Sequence, residues 1–205
     1  MGKKVESNFI NMVTVLFAIT LIASAAVGYI FSLTEKTIQE TNANKQAEAV
    51  KNVIPAEFDY TETVRLATDK DSVDVFYAMK DGKKVGTAVK SFSQSGFGGN
   101  ITVMVGFAND GKITGYSVLE TSETPGLGSK MTDWFAEGGK GNVIGKYPGE
   151  NGLSVSKDGG DVDAITAATI SSRAFCDAVN RASFAIAGTG DAVSGATETI
   201  EQPNE

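Results

Sequence analysis

The sequence predicts an α+β fold, an antiparallel sheet with helices packed on it, preceded by one transmembrane helix. Three observations predict it: an uncharged apolar run at the N-terminus, two hairpin patterns in the middle, and a helical apolar pattern near the C-terminus. Consecutive hairpins followed by helices are typical of a sheet whose helices are segregated from its strands. We therefore expect the helices on one side of the sheet.

The run from Asn8 to Leu33 carries no charged residue. About twenty apolar residues in a helix rise roughly 30 Å, the thickness of the hydrocarbon core of a bilayer. A cleaved signal peptide is the alternative, because Ala23-Ser24-Ala25 resembles a cleavage site, but the apolar run continues well beyond it. Lys3 and Lys4 precede the span, so the positive-inside rule predicts a cytoplasmic N-terminus. The rest of the chain would lie on the extracytoplasmic side of the cell inner (cytoplasmic) membrane.

The segment after the span predicts a polar helix that starts at Thr34, as an N-cap, and stops before Pro55. Its apolar positions are sparse, so we expect a stalk that covers little core. The predicted organisation is a tip and transmembrane helix over 1–33, the stalk over 34–58, a folded domain over 59–187 and a flexible tail over 188–205.

The domain begins with two hairpin patterns. Asp81-Gly82 and Asn109-Asp110-Gly111 are turn sequences that tolerate the positive φ of tight hairpins. The strands predicted around them are Val73–Met79 with Val85–Phe92, and Ile101–Ala108 with Ile113–Glu120. The spacing further predicts a short helix over Met131–Glu137, a glycine-rich loop over Gly138–Gly160, and a helix after Thr169 with its apolar residues at helical spacing.

Composition excludes several kinds of function. The net charge is −7 and no basic cluster follows the N-terminus, so nucleic acid is not an expected partner. The chain has no histidine, which excludes Ser-His-Asp and Cys-His catalysis within it. Cys176 is the only cysteine and is expected to be structural. We predict no catalytic residue and no metal site.

The most informative motif is Asp163-Ala-Ile-Thr166-Ala167-Ala168-Thr169. From the residues alone it is an ordinary helix start, with Ser171 and Ser172 among the available caps. It also resembles the Asp-x-x-Ser/Thr-Gly-Ala-Thr motif of the covalent FMN-binding domain family. The resemblance implies FMN esterified to Thr169 through a phosphodiester, with Asp163, Thr166, Ala167, Ala168, Ser171 and Ser172 around it. Ala167 replaces the usual glycine, and a positive φ there would be costly for alanine.

A second copy of the motif, Asp191-Ala-Val-Ser194-Gly195-Ala196-Thr197, keeps the glycine. After Thr169 the sequence continues as an apolar helical pattern, whereas after Thr197 only a short polar tail remains. A cofactor site needs a folded wall beside it, which a tail does not supply. We therefore expect the flavin on Thr169 and leave open a second modification at Thr197.

Two further segments strengthen the resemblance: Ser95–Ile101 and Glu123-Thr124-Pro125-Gly126-Leu127-Gly128. From the residues alone the second is a β-turn centred on Pro125 and Gly126. In the family it lines the flavin, which makes Glu123, Thr124, Gly126, Leu127 and Gly128 candidates, with Leu127 against the ring.

Most of the chain resembles the G subunit of the Rnf complexes within this family. The resemblance implies an electron carrier between ferredoxin and NAD in an ion-translocating membrane complex. Its implied partners are the other membrane subunits of that complex and a flavin transferase that uses FAD and Mg²⁺. Two alternatives stay open: the related C subunit of the sodium-translocating NADH:quinone reductase, and a non-redox membrane-anchored binding module.

Overall fold

The computed structural model describes residues 9–67, 72–149 and 151–187. The chain divides into two compact units, Met1–Asn44 and Lys45–Glu205. The described part of the first unit is entirely helical and belongs to helix α1, Phe9–Val53. This helix is long and apolar enough to cross a membrane, with a mean hydropathy of 2.2 over its most apolar window, none of which is buried. Its apolar side chains are therefore free to face lipid.

Helix α1 corrects the prediction of a separate polar helix that begins at Thr34. The hydroxyl of Thr34 donates to the carbonyl oxygens of Ile30 at 3.0 Å and Phe31 at 3.2 Å, which is the bonding of a threonine inside a helix. The polar residues that follow include many good helix formers and no glycine or proline, so nothing breaks the helix there. The helix does end at Val53, before Pro55, as predicted.

The sheet is a five-stranded antiparallel meander in the order β1-β2-β3-β4-β5. Its strands are β1 Tyr60–Ala67, β2 Ser72–Lys80, β3 Lys83–Ser93, β4 Ile101–Phe107 and β5 Ile113–Thr121. Both predicted hairpins are confirmed, and Asp81 and Gly82 have φ of 50° and 71°, as a tight hairpin turn requires. Strand β1 was not predicted, because half of its residues are polar and they leave no apolar run, as suits an edge strand.

Helix α3, Thr169–Ala187, covers one face of the sheet and closes the main core. Phe175 lies at its centre, stacked on Phe135 with ring centroids 4.2 Å apart and in edge contact with Tyr116 at 4.9 Å. Helix α2, Met131–Trp134, is shorter than predicted. The glycine-rich segment after it is loop, as predicted, with a single-turn 3₁₀ helix at Ser156–Asp158.

The last turns of α1 cover part of the opposite face, so the expectation of helices on one side only is wrong. Residues 49, 50, 53 and 54 form a short apolar stripe, and all four are buried. They pack on Phe76, Ala78, Ala88 and Met104. The hydroxyl of Thr114 donates to the carbonyl oxygen of Val53 at 2.6 Å. The α+β fold class itself is confirmed, with a sheet covered on both faces.

Candidate functional site

A cavity of about 350 Å³ lies at the N-terminal end of α3. This volume is within the roughly 300–1,000 Å³ of small-molecule sites in proteins. Three separate segments contribute to its wall: the glycine-rich loop after β3, the turn after β5, and the start of α3. The described lining residues are Phe97, Glu123, Thr124, Leu127, Gly128, Ala167, Ala168, Thr169, Ile170 and Ser171.

The turn after β5 has the geometry that the sequence predicts. The N–H of Leu127 donates to the carbonyl oxygen of Thr124 at 3.1 Å, and Gly126 has a φ of 78°. A proline followed by a glycine at positive φ is typical of a type II turn. The N–H of Gly126 also donates to the hydroxyl oxygen of Ser129 at 2.9 Å, which fixes the turn on the next element. The turn presents the side chain of Leu127, which is 40% exposed, at the cavity.

Glu123 is a buried carboxylate that joins the three segments. Its Oε2 accepts a hydrogen bond from the hydroxyl of Ser171 at 2.7 Å, and its Oε1 accepts one from the N–H of Gly98 at 3.2 Å. A Cβ on Gly128 would lie within 2.4 Å of Glu123 Oε2 and 2.6 Å of Ser171 Oγ. Glycine at this position therefore lets the carboxylate and the hydroxyl meet.

The motif Asp163–Thr169 forms a tight turn directly before α3. Ser172 is fully buried and its hydroxyl accepts from the N–H of Ile165 and donates to the carbonyl oxygen of Ala168, both at 2.9 Å. Ala167, at the tip of the turn, has a φ of 63°. The left-handed region costs an alanine about 1–2 kcal/mol relative to an ordinary conformation. The position where the family has glycine is thus a position that requires positive φ.

Thr169 is the first residue of α3 and is half-buried at the cavity. Its hydroxyl oxygen accepts a hydrogen bond from Lys157 Nζ at 2.9 Å. The free N–H groups at a helix N-terminus favour a negatively charged group. The hydroxyl therefore lies where a phosphate ester would meet positive charge from the lysine and from the helix.

The structure brings together eight of the predicted site residues on the cavity wall: Glu123, Thr124, Leu127, Gly128, Ala167, Ala168, Thr169 and Ser171. It places four others around the wall rather than on its described lining. Gly126 and Ser172 shape the two turns, while Asp163 and Thr166 are exposed. The carbonyl oxygen of Asp163 accepts from the indole N–H of Trp134 at 2.8 Å. The second motif, 191–197, lies outside the described residues.

Sequence reasoning missed three residues of the site. Phe97 and Ile170 line the cavity although they are 70% and 49% exposed. An aromatic residue in a glycine-rich loop was the available signal for Phe97. Lys157 had no signal, because its contact with Thr169 depends on how the loop folds back.

Cys176 lies on the buried side of α3 and is not among the described residues of the cavity wall. Burial, together with the negative charge of Asp161, raises the pKa of its thiol to about 12. The thiol is therefore protonated at neutral pH, which agrees with a structural role.

The fold and the cavity define an α+β protein with a small-molecule site, and comparison with known proteins identifies its class as a flavin-binding protein. Residues 96–183 match the family model of the FMN-binding domain. The chain is 31% identical to the G subunit of the ion-translocating oxidoreductase complex of Shewanella baltica over 81% of this chain and 85% of that protein. The corresponding protein of Aliivibrio fischeri is 33% identical over 84% and 86% of the two chains. The G subunit of the Na(+)-translocating ferredoxin:NAD(+) oxidoreductase complex of Acetobacterium woodii is 29% identical over 81% and 86%.

The chain belongs to the family of G subunits of ion-translocating oxidoreductase complexes. It has an FMN-binding domain, and its N-terminal helix is long and apolar enough to cross a membrane. Because the three relatives named above are all G subunits, the family favours this assignment over the C subunit of the quinone reductase and over a non-redox binding module.

Proposed function

We propose that this protein relays electrons through FMN held at the cavity by an ester bond to Thr169, as the G subunit of an ion-translocating ferredoxin:NAD oxidoreductase complex. One observation carries the proposal. The Thr169 hydroxyl, at the N-terminus of α3, opens on the same cavity as the predicted flavin-lining turn. The names of the relatives support the electron-carrier role and the presence of other members of the complex as partners.

The residues present fit FMN. Phe97, Leu127 and Ile170 expose apolar surface at the cavity, which is unusual for a solvated protein surface and suits a planar aromatic ring. Bound FMN supplies the redox chemistry, and the protein supplies its position and surroundings. Glu123 and Ser171 hold the turn and the helix together at the cavity wall. Thr169 and Lys157 would hold the phosphate group.

A covalent bond has a physical use in a domain on the extracytoplasmic side, the location that the N-terminal lysines favour. Free FMN would be dilute there, and a covalent tether keeps its effective concentration high through every redox cycle. A flavin transferase that uses FAD and Mg²⁺ is the implied maturation partner.

The test is in-gel flavin fluorescence after denaturation, on the full-length chain produced with the flavin transferase. Thr169→Val keeps the shape of the side chain and removes the hydroxyl, so we expect complete loss of the fluorescent band. Thr63→Val is the matched control, because Thr63 is an exposed threonine in β1 and is not among the residues that line the cavity. Its band should equal that of the wild type.

Thr197→Val completes the set. Fluorescence that survives in Thr169→Val and disappears in Thr197→Val would move the attachment site to the second motif. A wild-type band without fluorescence would refute covalent attachment on this chain altogether. Mass spectrometry of the intact chains distinguishes one bound flavin from two.

A further inference from the structure

We propose that Lys157 stabilises the negative charge that develops on the Thr169 oxygen when FMN is transferred to it, and that the Asp158–Arg173 ion pair positions Lys157 for this step. The inference rests on the proposed function, because it concerns how the site acquires its flavin. Lys157 lies outside the motif and outside the residues that the sequence singles out. Its ammonium group donates a hydrogen bond to the Thr169 hydroxyl oxygen at 2.9 Å.

The transfer is a phosphoryl exchange without oxidation or reduction. The Thr169 oxygen forms a bond to the FMN phosphorus of a flavin dinucleotide, and the pyrophosphate P–O bond breaks. Adenosine monophosphate leaves with the electron pair of that bond, and the hydroxyl proton passes to water. A threonine hydroxyl is a weak nucleophile because its oxygen must gain negative charge as its proton leaves. A cation within hydrogen-bond distance of that oxygen lowers the energy of the charged transition state.

Hydrogen bonds at both ends of the turn that carries Lys157 fix its position. The 3₁₀ turn that carries it, Ser156–Asp158, is pinned at its base by the N–H of Ser156, which donates to the carbonyl oxygen of Val162 at 2.8 Å. Its other end is bound to α3 by Asp158, which accepts two hydrogen bonds from Arg173, at 2.7 Å from Nε and 2.6 Å from Nη2.

Arg173 is four residues after Thr169, one helical turn further along the same helix. The ion pair therefore fixes the loop directly beside the first turn of α3. The hydrogen bonds from Arg173 hold the pKa of the Asp158 carboxyl below its usual range, so the pair persists at neutral pH.

Because Arg173 is paired with Asp158, Lys157 is the cation that is available to the Thr169 hydroxyl. Arg173 directs its guanidinium to Asp158, and within residues 9–67, 72–149 and 151–187 Lys157 makes no salt bridge. Both lysine and threonine are accessible to a transferase, since Lys157 is exposed and Thr169 is half-buried at the cavity.

The experiment measures the initial rate of covalent flavin incorporation into the full-length chain in detergent, with purified flavin transferase, FAD and Mg²⁺. Lys157→Met keeps the length of the side chain and removes the charge. We expect its maximal rate to fall by about ten- to a hundredfold, the value of one hydrogen bond to a charged group. The KM for the acceptor chain should change far less. Lys157→Arg, which keeps a cation, should recover most of the rate.

Three more variants separate the effect of charge at the site from general effects on the chain. Lys83→Met removes a lysine from the β2–β3 hairpin, outside the cavity, and should leave the rate unchanged. Asp158→Asn should slow incorporation, and Asp158→Glu, which can keep the ion pair, should slow it less. The thermal unfolding midpoint of every variant checks that the domain is folded.

The outcomes distinguish this inference from the proposed function. Wild-type labelling that is lost in Thr169→Val, together with an unchanged rate in Lys157→Met, overturns the role of Lys157 and leaves the attachment site intact. A slow rate in Lys157→Met that Lys157→Arg does not restore also overturns it. An unlabelled wild type, or a labelled Thr169→Val, overturns the proposed function instead.

Discussion

The sheet face beneath α3 and the face beneath the end of α1 differ in how closely the helix backbone approaches the sheet. Under α3, large side chains fill the space between layers, among them Phe107, Phe135 and Phe175, all fully buried. Under the end of α1, the backbone of the helix lies close to the backbone of the sheet. A Cβ on Gly106 would lie 2.1 Å from the carbonyl oxygen of Val53, and one on Gly115 would lie 3.0 Å from its Cα.

Because of this difference, we expect opposite kinds of substitution to destabilise the two faces. Where large side chains fill volume, removing atoms leaves a cavity. Where two backbones touch, adding atoms forces them apart. The proposed cofactor site lies at the N-terminal end of α3, so the volume-filled face also supports the position of Thr169.

The largest effect is expected from Phe175→Ala. This residue is fully buried, stacks on Phe135 and contacts Tyr116, so its truncation should lower the free energy of unfolding by about 3–5 kcal/mol. The measurement is chemical denaturation of the full-length chain in detergent, without flavin. The sole tryptophan, Trp134, is half-buried beside the core and supplies the fluorescence signal.

Phe97→Ala is the matched control, because Phe97 is 70% exposed and should contribute little to stability. It lines the cavity, so its loss is expected to alter flavin fluorescence rather than unfolding. Equal destabilisation by the two substitutions would contradict the assignment of the core.

The sheet with a helix on each face was only partly predictable from the sequence. The hairpin turns were predictable because Asp81-Gly82 imposes its own backbone geometry. The continuity of α1 was not, because a threonine at position 34 is a good N-cap and is also tolerated inside a helix. The second covered face was missed because the apolar stripe that covers it is only four residues long and stands at the end of a mainly polar segment.

A smaller effect is expected from Gly106→Ala on the α1 face. The added methyl group meets a backbone oxygen that cannot rotate away, so we expect a loss of about 1–3 kcal/mol in the free energy of unfolding. Gly86→Ala, on the same face, meets the Ile54 side chain at 3.0 Å and a backbone oxygen, that of Phe107, only at 3.5 Å, so it should cost less. The ratio of the two losses, measured by the same denaturation, tests whether backbone contact limits this face.

Within the site, the local motifs were predictable from the sequence, but the contacts between them were not. The turn at Pro125 and Gly126 follows from its own residues, and so does the start of α3 at Thr169. The hydrogen bond from Ser171 to Glu123 joins residues 48 positions apart in the sequence, and the one from Lys157 to Thr169 joins residues 12 positions apart. Such contacts depend on the folded path of the chain, which short sequence patterns do not encode.

The smallest effect, and the only expected gain, is Ala167→Gly. Ala167 has a φ of 63°, a conformation that glycine adopts freely and alanine does not. The relief of strain is partly offset by the greater flexibility of glycine in the unfolded chain, which leaves a net gain of about 0.5–1 kcal/mol. Ala168→Gly is the control, since Ala168 is buried and has no positive φ, and it should destabilise. Denaturation of both variants therefore separates backbone strain at the attachment turn from packing behind it. A loss of stability in Ala167→Gly would mean that the alanine methyl group contributes more through packing at the cavity wall than its backbone costs.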